Sequence, residues 1–200
     1  SGFRGHSAIE TERVLYRLDQ IAGTGALTIL AQSVSVPDWS ELAAKRDGAG
    51  QPYLKEPPRI KPAAWIDGLA AGQTYAFRLR ANPTKRLTVP PGERVKDERG
   101  KDKRGKRVGL FKEEDQQKWL LRHAEAGGFR VLTHAVTSDG TLRDAVKDLS
   151  LFTVQFDGVL EITDRVRFIE TLEAGIGSAK GFGCGLLSLA PVRSQGGINA

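Results

Sequence analysis

Apolar and polar residues alternate in "RVLYRLD" (13–19), which predicts a strand with Val14, Tyr16 and Leu18 on one face. "ALTILAQS" (26–33) predicts a second strand, and the turn-like "AGTG" between them makes the pair an antiparallel hairpin. "VPDWSELA" opens a short helix, and the Pro- and Gly-rich stretch 47–64 reads as a surface loop. "TYAFRLRANP" (74–83) is a strand with Tyr75, Phe77 and Leu79 on one side and Arg78 and Arg80 on the other; Pro83 ends it. Residues 88–107 hold too little apolar surface to pack alone and are expected to be mobile without a partner. "EEDQQKWLLRHA" (113–124) predicts a helix with acids in its first turn, where they suit the dipole, and Gly127-Gly128 stops it. "FRVLTHAV" (129–136) is a strand. "LFTVQFDGVLEI" (151–162) reads as two strands about a hairpin turn at Asp157-Gly158. "TDRVRFIETLEA" (163–174) is a helix capped by Thr163 or Asp164, with Val166, Ile169 and Leu172 toward one side. "LLSLAPV" closes the chain's regular structure.

With a short strand at 107–111, the second half reads strand, helix, strand, strand, helix, strand, the split βαβ order of the ferredoxin-like fold. The first half follows the same order without its first strand and helix. The predicted class is α+β, with two ferredoxin-like domains in tandem. The divisions are a truncated N-terminal domain at 1–87, a basic flexible loop at 88–106, a C-terminal domain with a glycine-rich loop at 107–192, and a tail at 193–200. Two hundred residues suit one ordinary domain or two small ones.

Composition narrows the setting. No apolar run is long enough to cross a membrane as a helix, and no signal peptide opens the chain. The single cysteine, Cys184, excludes an internal disulfide and a multi-cysteine zinc site, so a cytoplasmic, reducing compartment is expected. The chain contains no methionine and begins Ser-Gly-Phe, from which a missing upstream piece is expected. Charge is concentrated: residues 84–112 carry eleven Lys/Arg against four acids, a local net of +7 in a chain of net +6. One basic patch on an otherwise neutral body points to a polyanionic partner.

The stretch "GIGSAKGFGCGLLSLAP" (175–191) has five glycines within eleven residues. A phosphate-binding P-loop needs Gly-Lys-Ser/Thr at a strand-to-helix turn, whereas here Lys180 precedes Gly181 and a helix leads into a strand. The dinucleotide fingerprint fails on the same element order. A helix C-cap accounts for Gly175 alone. The remaining glycines with Lys180 permit close backbone approach and an anion-binding nest, so a phosphate contact is one reading and a tight protein turn the other.

The basic segment reads either as a solvated loop or as a phosphate contact. No aromatic residue lies between Arg78 and Leu110, which suits a duplex groove better than a single strand stacked on rings. His123 and His134 read as structural, and His6 is unplaced. Cys184 lacks a His/Asn partner pattern and reads as a small packing residue. No Asp-x-Asp cluster indicates a metal nuclease, and neither metal nor cofactor is expected.

The glycine loop, "FRLRANPTKRL" (77–87), "VQFDGVLEI" (154–162) and the helix "EDQQKWLLRHAEAGGFRVL" together resemble the CRISPR-associated repeat-processing endoribonucleases of the type I-E system, the CasE family. The motifs stand in that family's order and cover most of residues 12–192. The resemblance implies tandem ferredoxin-like (RRM-like) domains and metal-independent cleavage of precursor CRISPR RNA at the 3′ base of each repeat hairpin. A ribose 2′-hydroxyl attacks the adjacent phosphate, leaving a 2′,3′-cyclic phosphate and a 5′-hydroxyl. The product stem-loop stays bound, with the enzyme a Cascade subunit beside the backbone subunit and in contact with DNA only through the complex. A histidine of the first helix, aided by a tyrosine in some members, moves the protons. That helix precedes the strand matching "VLYRLD", so the catalytic histidine is expected upstream of Ser1, and His6 is a weak candidate. The RNA-binding residues expected are Arg78, Arg80, Lys85, Arg86, Arg94, Lys101, Lys103, Arg104, Lys106, Arg107, Gly175, Gly177, Lys180, Gly181, Gly183 and Gly185. A non-catalytic stem-loop binder of the same fold, or a ribosomal or RRM-type RNA-binding protein, is the alternative.

Overall fold

The structure, a computed structural model, describes residues 13–21, 23–61, 63–88, 105–144 and 149–192. In chain order its elements are β1 (Leu15–Gln20), β2 (Leu27–Gln32), α1 (Ser40–Ala44), a 3₁₀ turn (Ala63–Gly68), β3 (Thr74–Ala81), β4 (Thr84–Arg86), β5 (Arg107–Gly109), α2 (Glu113–Ala126), β6 (Phe129–Asp144), β7 (Leu149–Ile162), α3 (Arg165–Ala174), a second 3₁₀ turn (Lys180–Phe182) and β8 (Leu187–Pro191). The α+β class stands. Among the described residues no helix is long and apolar enough to cross a membrane.

The C-terminal unit is a complete ferredoxin-like fold, but its first strand is β3 and not 107–111. The four-stranded sheet runs β6-β7-β3-β8, antiparallel throughout. Residues 74–83 therefore leave the N-terminal domain to which 1–87 assigned them. The reason is burial. Phe77, Leu79 and Ala81 on β3 join one core with Trp119, Leu120, Phe156, Leu160, Phe168 and Leu172. Each large apolar side chain so buried contributes on the order of 1.5–3 kcal/mol. The 107–111 segment supplies only the three-residue β5, which pairs with β4 as a ribbon at the base of the basic segment. The N-terminal unit keeps the strand–strand–helix order of β1, β2 and α1.

Asp157-Gly158 is the second correction. It is no hairpin turn but the middle of the continuous fourteen-residue strand β7. There β6 bulges between Val131 and Thr133. A Cβ on Gly158 would lie 2.0 Å from the Thr133 carbonyl oxygen, so glycine serves close strand approach, not reversal. β6 ends at Asp144 and β7 begins at Leu149; residues 145–148 lie outside the described residues.

Two faces also differ from the expected pattern. On β1 the buried residues are Leu15 and Arg17, while Leu18 is 39% exposed. On α3 the core takes Phe168 and Leu172, with Val166 left exposed. Asp164 caps α3 as expected, accepting from the amides of Val166 and Arg167.

Candidate nucleic-acid interface

The glycine loop follows α3 and is tied down at several points. The Gly175 amide donates to Thr171 O, Ile176 N to Gly185 O, and Gly185 N to Arg80 O (2.7 Å), closing the loop on itself and on β3. The N-terminal hairpin clamps its outer side. Tyr16 donates to Gly181 O (2.8 Å), and Gln32 Nε2 donates to Leu172 O. Ala174 O accepts from both Arg13 Nη1 (3.0 Å) and Lys180 Nζ (2.5 Å). Lys180 is thus turned back on the end of α3. Burial, with Arg13 beside it, holds its ammonium below the ordinary lysine value.

The loop glycines mostly answer to the protein itself. At Gly177, φ is +78° and a Cβ would stand 2.7 Å from the Trp119 ring. Gly175 abuts the Leu15 methyls, Gly183 faces the Tyr16 ring, and Gly185 lies against Ile176 O. Only Gly181 looks into open space. Cys184 is fully buried beside them, which pushes its thiol up to about 11, in line with a packing role.

The loop's other side forms a wall of a groove of about 500 Å³. Asn82, from the "RANPT" corner after β3, makes the joint: its amide donates to Phe152 O (2.6 Å), and Ser178 donates to its Oδ1 (3.1 Å). This sets the β4–β5 ribbon beside Gly177 and Ser178. The groove is lined by Lys85, Arg86 and Arg107 from the ribbon, by Trp119, Arg122 and His123 from α2, and by Thr84, Gly177 and Ser178. Among the described residues it contains four permanent cations and no carboxylate. None of the four has an ion-pair partner among the described residues.

Arg78 and Arg80 stand elsewhere, on the sheet face away from the helices. Arg78 pairs with Asp157 (2.6 Å), which raises its pKa, and Arg80 Nε lies 2.9 Å from Asp139. Buried Arg17 bridges to the same face, donating to Ser188 Oγ (2.8 Å) and Arg78 O while paired with Asp19. Lys106 is exposed at the start of β5. Arg94, Lys101, Lys103, Arg104 and His6 lie outside the described residues.

Sequence reasoning missed Arg122, Asn82, Ser178 and the groove position of His123. Arg122 follows the apolar "WLL" on a helix and carries no local sign of what it faces. His123 packs against Trp119 at a tilt (centroids 4.3 Å apart, planes 55° apart), and its pKa is lowered first by burial, then by Arg122 and Lys180.

A ferredoxin-like unit whose helix, ribbon and loop line a groove with cations and no carboxylate among the described residues has the form of a polyanion-binding protein. Comparison with known proteins gives its family. Residues 1–191 match the model of the family described as "CRISPR associated protein". The chain is 35% identical over 196 residues to the CRISPR-associated endoribonuclease Cse3 of Thermus thermophilus, spanning 90% of this chain and 81% of that protein. It is 39% identical over 131 residues to the Cascade subunit CasE of Escherichia coli, spanning 62% and 61%. Thermus Cse3, solved with an RNA representing a pre-cleavage complex, superposes with a TM-score of 0.70 at 35% identity, covering 92% of this chain and 80% of that one. The chain belongs to this CRISPR-associated family, in its CasE branch.

Proposed function

We propose that the protein is a CRISPR RNA-processing endoribonuclease that holds the repeat stem-loop in the groove between the β4–β5 ribbon, α2 and the glycine loop. The observation that carries this is the set Lys85, Arg86, Arg107 and Arg122 on one concave surface with no carboxylate among its described residues. Such a surface suits phosphates along a duplex, which are held by charge and shape. Arg94, Lys101, Lys103 and Arg104, between β4 and β5 in the sequence and outside the described residues, are assigned to the same RNA contact, as is Lys106 just before β5. Arg78 and Arg80 act instead by fixing the sheet face through Asp157 and Asp139. The glycine loop contributes the backbone at Gly177 and Ser178; Gly181 is held on the far side by Tyr16, and Lys180, Gly175, Gly183 and Gly185 hold the loop's shape.

Cleavage needs no metal in this reading. The ribose 2′-oxygen loses its proton and bonds to the adjacent phosphorus, the 5′-oxygen departs and is protonated, and a 2′,3′-cyclic phosphate remains. A histidine beyond the described residues moves these protons, with His6 a candidate within the sequence. The processed stem-loop stays bound, and the protein serves in the cytoplasm as a Cascade subunit beside the backbone subunit. The naming of a related protein as a Cascade subunit supports this.

Incubation of the full-length protein with a repeat hairpin in EDTA should yield a fragment ending in a 2′,3′-cyclic phosphate. A hairpin bound but left intact would favour a non-catalytic stem-loop binder. No binding at all would remove the groove reading.

A further inference from the structure

We infer that His123 is a phosphate-binding residue of the groove and makes that contact as the imidazolium, so that RNA binding takes up one proton. This rests on the reading of the groove as the RNA site.

The placement is fixed by α2. His123 follows Trp119 by four residues, one helical turn on the same face. Trp119 is itself buried and stacked on Phe156 (6.1 Å). With the imidazole set against that indole at a tilt of 55°, the ring lines both the cationic groove and a second depression of about 420 Å³ between α2 and α3. Neither ring nitrogen has a hydrogen-bond partner among the described residues, so both are open to a ligand.

The charges facing it are nearly all positive. Arg122 comes from α2 itself, Lys180 from the glycine loop, and Lys85, Arg86 and Arg107 from the ribbon across the groove. On the α3 side stand Arg167 and the single carboxylate Glu170, both in the second depression. In the free protein this surrounding, together with half-burial, disfavours a further positive charge, and His123 titrates below its ordinary 6.5. A phosphate in the groove outweighs both effects: its charge offsets the neighbouring cations, and it accepts a hydrogen bond from the imidazolium N–H. The complex then binds more protons than the free protein, and affinity rises as pH falls through the window between the two pKa values.

The fold responds with the opposite sign. Because the folded-state value is depressed, His123 contributes stability above about pH 6.5 that is lost as pH falls. Tighter binding on acidification therefore cannot come from a firmer fold.

The test measures dissociation constants of a repeat hairpin at fixed ionic strength from pH 8.5 to 5.5. Wild type should tighten by up to about tenfold per pH unit within the window. His123→Asn should lose that slope, and His134→Asn, whose ring lies on β6, should keep it. His123→Arg, with its charge fixed, should bind without a slope and more tightly than His123→Asn at pH 8.5. Titration calorimetry in two buffers of different ionisation heat should show proton uptake by wild type that is absent in His123→Arg. A flat wild-type profile, or a slope surviving in His123→Asn, overturns the inference. Absence of hairpin binding by wild type at every pH would instead overturn the RNA reading of the groove.

Discussion

Two sets of cations, the first ending at Arg80 and the second beginning five positions later at Lys85, have different surroundings. Arg78 and Arg80 alternate along β3 and point to the open face of the sheet, where Asp157 and Asp139 neutralise them. Lys85, Arg86 and Arg107 lie on the short β4–β5 ribbon, and with Arg122 they line a groove that has no acid among its described residues. In sequence Arg78 and Arg80 run into the basic segment that holds Lys85, Arg86 and Arg107. In space the first set is paired with carboxylates, and the second has no ion-pair partner among the described residues. Density of positive charge therefore says less about binding than the absence of compensating carboxylates.

The largest expected effect tests the second set. Arg86→Glu with Arg107→Glu should weaken hairpin binding by about a hundredfold or more, since each charge-assisted contact contributes about 1.5–3 kcal/mol. The slope of log affinity against log salt should flatten by about 0.7–0.9 per lost phosphate contact. Filter binding at several salt concentrations measures both, and an unchanged slope would separate the ribbon from the RNA.

A smaller effect concerns the wall between the sets. Gly177→Ala should cost about 2–5 kcal/mol, from the left-handed backbone and the overpacked Trp119 ring, read by denaturant unfolding. Gly181→Ala, facing open space, should stay within about 0.5 kcal/mol of wild type. Equal losses at the two positions would mean that the glycines serve backbone flexibility in general and not particular neighbours.

The smallest effects belong to the strand arginines. Arg80→Ala leaves Asp139 partly buried without its cation and should cost about 1–3 kcal/mol of stability. Arg78→Ala, at a half-exposed and solvent-screened pair, should cost under about 1 kcal/mol. Hairpin affinity should change by less than about threefold in either. A loss like that of the ribbon variant would erase the distinction between the sets, because the arginines would then exchange carboxylate for phosphate on binding.

Much of the fold was legible because burial leaves a local record. The alternation of Phe77 and Leu79 with Arg78 and Arg80 announced a half-buried strand, and the acids before "WLL" announced the start of α2. The errors have a common cause. Asp157-Gly158 carries the composition of a turn, yet its glycine is needed for a bulge contact with Thr133, a residue some twenty-five positions earlier. Arg17 alternates like a solvent-facing residue and is buried, because Ser188 and the Arg78 carbonyl supply its bonds from the far end of the chain. The site divides the same way. Lys85, Arg86 and Arg107 stood out as a charge run, whereas Arg122 and His123 had nothing local to mark them.

By itself the sequence determined the α+β class, the helices and most strands, the single concentration of positive charge, and the glycine-rich connection between α3 and β8. Those follow from periodicity, composition and punctuation, which are properties of neighbours along the chain. Only the tertiary structure decided that β3 opens the C-terminal sheet, which arginines are neutralised, and which side chains the loop glycines must avoid. Each of those depends on pairing across long separations: Arg78 meets Asp157, Gly177 meets Trp119, and Ser178 meets Asn82. A residue's own pattern reports how deeply it is buried, while its charge balance and close contacts are set by the partners that folding brings to it.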